Sequence, residues 1–304
     1  MRVVTTLPSA TEIVYALGVE PVAVSHACDH PPAARGKPAV ERSRVDPDAP
    51  AGTIHDQVLA ADRGDGVYEV DLDALAAADP DLIVAQGVCE VCAVDEVLVR
   101  EAAERLDLDP EILTVDPHRL ADVFGAIERI GAALDRPGRA AALTADLRRR
   151  VERVEERVAG RPRPRVAVLD WLDPVMVAGH WVPDLVERAG GEYGLAAPAE
   201  RSSPREWSAV RDYDPEVLVA APCGFDVDRT LAEADDLTGR PGYADLAAVP
   251  DRAFAVDGNG HVNRPGPRLV DTLEALACLC HPDLADPPPD VARPLPAPAA
   301  EADP

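Results

Sequence analysis

Lysine is all but missing from this chain: Lys37 is the single one, and 30 Lys and Arg together face 55 Asp and Glu, for a net charge of −25. So acidic a surface repels nucleic acid and anionic lipid, which removes both as partners. It also suits a protein kept soluble in concentrated salt, where screening is strong. Long apolar runs are missing too. None reaches the roughly 20 residues of a membrane span, so no integral membrane segment is expected. Met1 to Leu7 carries no basic region, apolar core and cleavage site, so the chain as written is expected in the cytoplasm, or on the outer face if an upstream signal was lost. No second Cys-x-x-Cys completes the pair Cys89 and Cys92, so zinc-knuckle evidence is weak. Cysteines without a secretory signal read as free thiols or metal ligands rather than a disulfide framework.

What is present is organised around Pro137 to Gly160, the longest helical pattern. Leu143, Leu147, Val151, Val154 and Val158 recur at helical spacing and form one apolar stripe. Asp135 is a candidate cap, Pro137 suits the first turn, and Gly160 with Pro162 and Pro164 stops the helix. At about 1.5 Å per residue the helix runs roughly 35 Å and reads as a strut in mid-chain.

On either side, short apolar strands alternate with helices. The first part predicts strands at 3–7, 21–25, 82–86 and 112–115, with helices from Ser9 or Thr11 to Leu17 and over 97–106. The second predicts strands at 165–170, 175–178, 217–221 and 253–256, with helices at 183–189 and 268–280. Such alternation implies an α/β fold with mainly parallel sheets. The echo between Asp-Pro-Asp-Leu-Ile-Val-Ala (79–85) and Asp-Pro-Glu-Val-Leu-Val-Ala (214–220) supports duplication. The expected division is an N-terminal lobe 1–116, a helical connection 117–160, a C-terminal lobe 161–285 and a disordered Pro-rich acidic tail 286–304.

Ligands of open parallel sheets bind at the carboxyl ends of strands. Four segments carry reactive side chains at such ends: 25–29 with His26 and Cys28, 86–92 with Gln86, Cys89 and Cys92, 178–181 with His180 and Trp181, and 221–226 with Cys223 and Phe225. Each thiol is otherwise an inert buried residue, the reading that fits Cys278 and Cys280 in an apolar helix. Asp257 to Arg268, with Asn259, His261, Asn263 and Arg264, reads as a ligand-contacting loop or an ordinary polar turn.

The stretch 4–18, the run Ser-His-Ala-Cys-Asp-His-Pro-Pro (25–32), the motif 79–84, the mid-chain helix and Gly-Gly-Glu (190–192) resemble the cobalamin and iron-chelate binding proteins of ABC importers. The resemblance covers about 1–281, and its nearest branch is the cobalamin-binding group. It implies a class III substrate-binding-protein fold, two Rossmann-like lobes joined by one backbone helix, in a monomeric, non-enzymatic protein. A corrinoid, cobalamin foremost, is then expected in the inter-lobe cleft against Pro8, Ser9, Ala10, His26, Cys28, Gln86, Cys89, Met176, His180, Trp181, Trp207, Cys223, Phe225, Asn259, His261, Asn263 and Arg264, with His180 as candidate cobalt ligand. Where corrinoid receptors carry aromatic side chains, this sequence has Ala27, Gln86 and Met176. Asp73 matches the permease-docking carboxylate of the first lobe, and Ser208 stands at the second. The alternatives are a metal- or thiol-dependent redox enzyme using Cys28, Cys89, Cys92 and Cys223, with a metal ion held by these thiols or His180, and a chaperone passing on a metal or corrinoid.

Self-repulsion at net charge −25 predicts a melting temperature that climbs steeply with added salt. Calorimetry across a salt series checks this, and a flat profile contradicts it.

Overall fold

The structure, a computed structural model, describes residues 1–62, 66–87 and 96–296. It divides into two compact units, Met1–Ala49 with Thr53–Arg148, and Pro50–Gly52 with Arg149–Pro304. Among the described residues no helix is long and apolar enough to cross a membrane.

In chain order the first unit contains β1 (Val3–Thr5), α1 (Pro8–Ala16), β2 (Ala23–Val24), a 3-10 turn at Pro32–Gly36, β3 (Glu41–Ser43), most of α2 (Ala51–Asp62), β4 (Tyr68–Val70), α3 (Leu72–Ala78), β5 (Leu82–Gln86), α4 (Glu96–Arg105), β6 (Glu111–Val115) and α5 (Leu120–Ala133). Its main sheet has the order β2-β1-β5-β6, parallel throughout. Every residue of β1 and β5 is buried, as expected for parallel strands covered on both faces. A separate antiparallel pair joins β3 to β4, with Glu41 opposite Val70.

The long helix α6 (Pro137–Val158) follows. Ala140, Thr144, Leu147, Val151, Val154 and Val158 are its buried positions, so the stripe passes through Thr144 and leaves Leu143 half-buried. The Thr144 hydroxyl donates back to Ala140 O, which lets a polar side chain sit there. Asp135 does not cap this helix. Its φ of 55° places it in the left-handed turn after α5, and Arg136 N–H returns to Gly131 O. A Cβ at Gly131 would lie 2.4 Å from that of Ala140, so glycine is what lets α5 and α6 meet this closely.

The second unit contains β7 (Val166–Trp171), β8 (Met176–Val177), α7 (Val182–Arg188), β9 (Ser203–Pro204), α8 (Trp207–Tyr213), β10 (Val217–Ala220), α9 (Val227–Ala232), α10 (Asp235–Thr238), β11 (Ala253–Val256), a π-helical turn at Gly258–Val262, α11 (Leu269–Cys280) and β12 (Ala292–Pro294). Its sheet order is β12-β11-β10-β7-β8-β9. The centre, β11-β10-β7, is parallel and the flanking strands are antiparallel. The expected disorder of 286–304 does not hold for its first part. Ala292–Pro294 pairs with β11, and Val291 and Leu295 are buried beside it. Pro294 and the prolines around it conceal this short strand in the sequence.

The duplication echo has a physical basis. Asp79 and Asp214 end α3 and α8 in the left-handed conformation, at φ 42° and 46°. Arg2, just before β1, donates through Nε to Ala78 O (2.7 Å) and Asp79 O (3.0 Å). Arg165, just before β7, donates likewise to Tyr213 O (3.2 Å) and Asp214 O (3.0 Å). Arg2 N–H reaches Asp81 and Arg165 N–H reaches Glu216, at 2.6 and 3.0 Å. In both units a guanidinium thus satisfies the carbonyls at a helix end and fixes the entry of the next strand.

Leu147 is only 3% exposed, so Leu147→Ala is expected to cost about 2–5 kcal/mol. The urea midpoint reads it directly, and an unchanged midpoint refutes the buried stripe.

Candidate functional site

Each parallel sheet delivers its polar loops to the carboxyl ends of its strands. In the first unit, Pro8, Ser9 and Ala10 follow β1 as the first turn of α1, with Ser9 and Ala10 buried and Pro8 half-buried. Thr11 in the same turn contacts Thr5 Oγ1 at 2.6 Å and Cys28 Sγ at 2.9 Å. Cys28 is 4% exposed and packs with Val24, Ala34 and Tyr15. It therefore fills the interior beneath the strand ends rather than lining a wall, because the 3-10 turn at Pro32–Gly36 covers it. Gln86, 9% exposed, closes β5. Cys89 and Cys92 lie outside the described residues.

After β2, the chain at Ala39 bridges to Val24 and brings Glu41 alongside Ser25 and His26. Glu41 Oε1 accepts from Ser25 Oγ at 2.5 Å and from His26 N–H at 3.3 Å, and lies 2.8 Å from His26 Nδ1. The Glu41 side chain is 2% exposed, that of His26 36%. Its other oxygen has no hydrogen-bond partner among the described residues. Glu41 lines a small cavity with Thr6, Val40, Val70, Leu75, Ile83 and Val99. Glu41 escaped sequence reasoning because nothing local distinguishes it in a chain so rich in acid. Beyond β6, His118 Nε2 lies 3.2 Å from Asp116, a second imidazole–carboxylate pair that was not foreseen.

In the second unit, β10 leads to Cys223, an exposed thiol whose N–H bonds Asp170 O. Phe225 is 1% exposed, tilted against Trp171 with centroids 5.4 Å apart, and the Arg229 guanidinium lies 3.7 Å over its ring. Phe225 thus anchors the loop instead of offering a face. The Asp257–Arg264 segment is a π-helical turn, not an open loop. Asp257 accepts from Gly260 N–H (2.8 Å) and lies 2.7 Å from His261 Nδ1. Asn263 donates to Ala221 O, and the buried Arg264 reaches Asn259 Oδ1. A Cβ at Gly258 would come 2.1 Å from Pro222 O, so only glycine allows this turn to sit on the end of β10.

His180 departs from expectation. It follows β8, which runs antiparallel to β7 with Val177 opposite Leu169, so its position is not equivalent to the three parallel strand ends. Its φ is 51°, and its N–H bonds Glu200 O. Trp181, 7% exposed, stacks near His180 at 5.5 Å and donates from its indole to Val262 O. Met176 is half-buried on β8. Trp207, also half-buried, begins α8 and donates to Pro241 O. Among the described residues no group of three or more His, Cys, Asp or Glu side chains is placed to hold a metal ion. Cys280 is buried and its thiol is pushed up to about 12 by that burial, in keeping with a core role.

Residues 3–258 match the family model described as Periplasmic binding protein. The chain belongs to this family. Its members are periplasmic or extracellular binding proteins of transport systems. Among curated relatives, a Cobalamin-binding protein of Halobacterium salinarum is 27% identical over 223 residues, 70% of this chain and 56% of that protein. The chain thus spans little more than half the length of the curated relatives it matches. A periplasmic heme binding protein from Pseudomonas aeruginosa superposes with a TM-score of 0.70 at 23% identity, covering 98% of this chain and 95% of that one. The periplasmic vitamin B12 binding protein of Vibrio cholerae gives 0.67 at 21%, covering 94% and 98%. These two show the fold, the class III arrangement of α/β units expected from the resemblance.

Thiol accessibility separates the cysteines. Among the described cysteines, iodoacetamide on the native protein is expected to modify Cys223 first, with Cys28 and Cys280 reacting only on unfolding. Peptide mass spectrometry checks this, and early labelling of Cys28 contradicts its placement.

Proposed function

We propose that this chain binds a corrinoid, cobalamin foremost, and hands it to an ABC-type importer as a monomeric receptor outside the cytoplasm. The observation that carries the reading is the relation to the Cobalamin-binding protein of Halobacterium salinarum, 27% identical across 223 residues. The strand-end chemistry supports it: a corrinoid offers a broad apolar face, amide side chains and a metal with axial positions. Exposed His26, half-buried Trp207, and the amides of Asn259 and Asn263 supply an imidazole, an aromatic face and hydrogen-bond partners of the matching kinds. His180, which follows the antiparallel strand β8 and lies toward the amino end of β7, is left out of this proposed strand-end surface. The metal- and thiol-dependent alternatives draw no support from a buried Cys28 and from a fold shared with binding proteins.

The importer contact is proposed at exposed carboxylates that open the helices before β5 and β10. Asp73 lies in the first turn of α3. At α8 the carboxylate is Glu206, the exposed N-cap residue two positions before Ser208. An acid at either place is favoured by the positive end of the helix and remains accessible to a basic partner.

Equilibrium dialysis against cyanocobalamin in high salt tests the reading. Retention with a bound visible spectrum is expected, and Trp207→Ala should weaken it at least tenfold, about 1.4 kcal/mol. Retention of haem with no retention of cobalamin replaces the corrinoid by another tetrapyrrole, and retention of neither ends the proposal.

A further inference from the structure

The His26–Glu41 pair is costly in a way that ordinary packing does not explain. A carboxylate withdrawn from water is tolerated only where donors compensate it. Glu41 concentrates its donors, from Ser25 and from the backbone and ring of His26, on Oε1. Its Oε2 is buried without a partner among the described residues, on a side chain packed with the aliphatic residues Val40, Val70, Leu75, Ile83 and Val99. An ionised carboxylate only accepts hydrogen bonds, so the ring nitrogen facing it, Nδ1, carries the proton. Nε2 then holds the lone pair, on a ring that is 36% exposed at the carboxyl end of β2. An imidazole whose tautomer and plane are fixed by a carboxylate on the far nitrogen is the arrangement by which proteins prepare a metal ligand.

Three other histidines near strand ends meet this description less well. His261 is held the same way by Asp257, but its side chain is only 13% exposed and Asp257 also serves Gly260 N–H. His118 faces Asp116 through Nε2, the nitrogen a ligand would need, and Asp116 is itself half exposed. His180 follows the antiparallel strand β8.

We propose that His26 Nε2 is an axial ligand for the metal of a bound macrocycle, with Glu41 as the positioning residue that fixes its tautomer. This rests on the corrinoid reading and assigns the side chain that recognises the metal. Nothing is oxidised or reduced in the step: the imidazole lone pair replaces a water on cobalt, and the water leaves. A ligand with an exchangeable axial water is therefore favoured over one whose axial positions are both occupied.

Cob(II)inamide, a corrinoid lacking its own nucleotide base, is the probe. In the wild-type protein its electron paramagnetic resonance spectrum should show the splitting of a coordinated nitrogen, and 15N-histidine labelling should alter that splitting. His26→Ala should abolish it, and added imidazole should restore it. Glu41→Gln should weaken cob(II)inamide binding several-fold. Dicyanocobinamide, with both axial positions filled, should bind all three proteins alike, whereas a purely structural role for the pair would weaken both probes together. Cobinamide bound without nitrogen splitting, or with splitting that survives His26→Ala, overturns the assignment and leaves corrinoid binding in place. If no corrinoid binds at all, the broader reading fails and this one with it.

Discussion

The fold depends on a clamp made once in each unit. An arginine at the start of the central strand, Arg2 or Arg165, closes the carbonyls at the end of α3 or α8 and pairs through its own N–H with the acid that opens β5 or β10. Charged donors satisfy carbonyls that helix geometry leaves unpaired. They also fix which strand becomes the parallel neighbour. Once β1 with β5 and β7 with β10 are parallel and buried on both faces, each connection must return over a face of the sheet. The polar turns then accumulate at the carboxyl ends, the only place such a sheet can offer side chains to a ligand.

Electrostatics has two scales here. The net charge of −25 is spread over exposed acids and governs solubility and salt response. A few carboxylates stand apart from that population, Glu12 at 4% exposure among them. Glu41 and Asp257 are drawn inward, each onto an imidazole, at the ends of β2 and β11. Desolvating a charge is unfavourable, so such placements need a return in geometry or function. Holding a ring in one tautomer is one that packing alone cannot supply.

Much of the architecture was legible in the sequence. Leu82–Gln86 and Ala253–Val256 fall where the apolar runs put them, because buried parallel strands are nearly continuous in Val, Ile, Leu and Ala. The long helix was legible from its period. Short edge elements were not: β3 and β4 alternate too briefly to signal themselves, and β12 lies among prolines. The candidate strand-end loops were legible by neighbourhood, and what their side chains touch was less so. His26 and the Asp257 segment were marked by position, whereas Cys28, Phe225 and Trp181 turn out to be anchors because covering elements far along the chain bury them. His180 was misplaced because sequence does not give strand direction. Glu41 was invisible since its significance comes from a bridge between Val24 and Ala39.

The central claim, that ligand contact is confined to the loops at the carboxyl strand ends, is tested most directly by hydrogen–deuterium exchange with and without hydroxocobalamin in high salt. Protection is expected at 25–28 and 257–264, with no change in the amides at the opposite ends of β1 and β7 near Arg2 and Arg165. Protection at those opposite ends, with the strand-end loops unaffected, would contradict it.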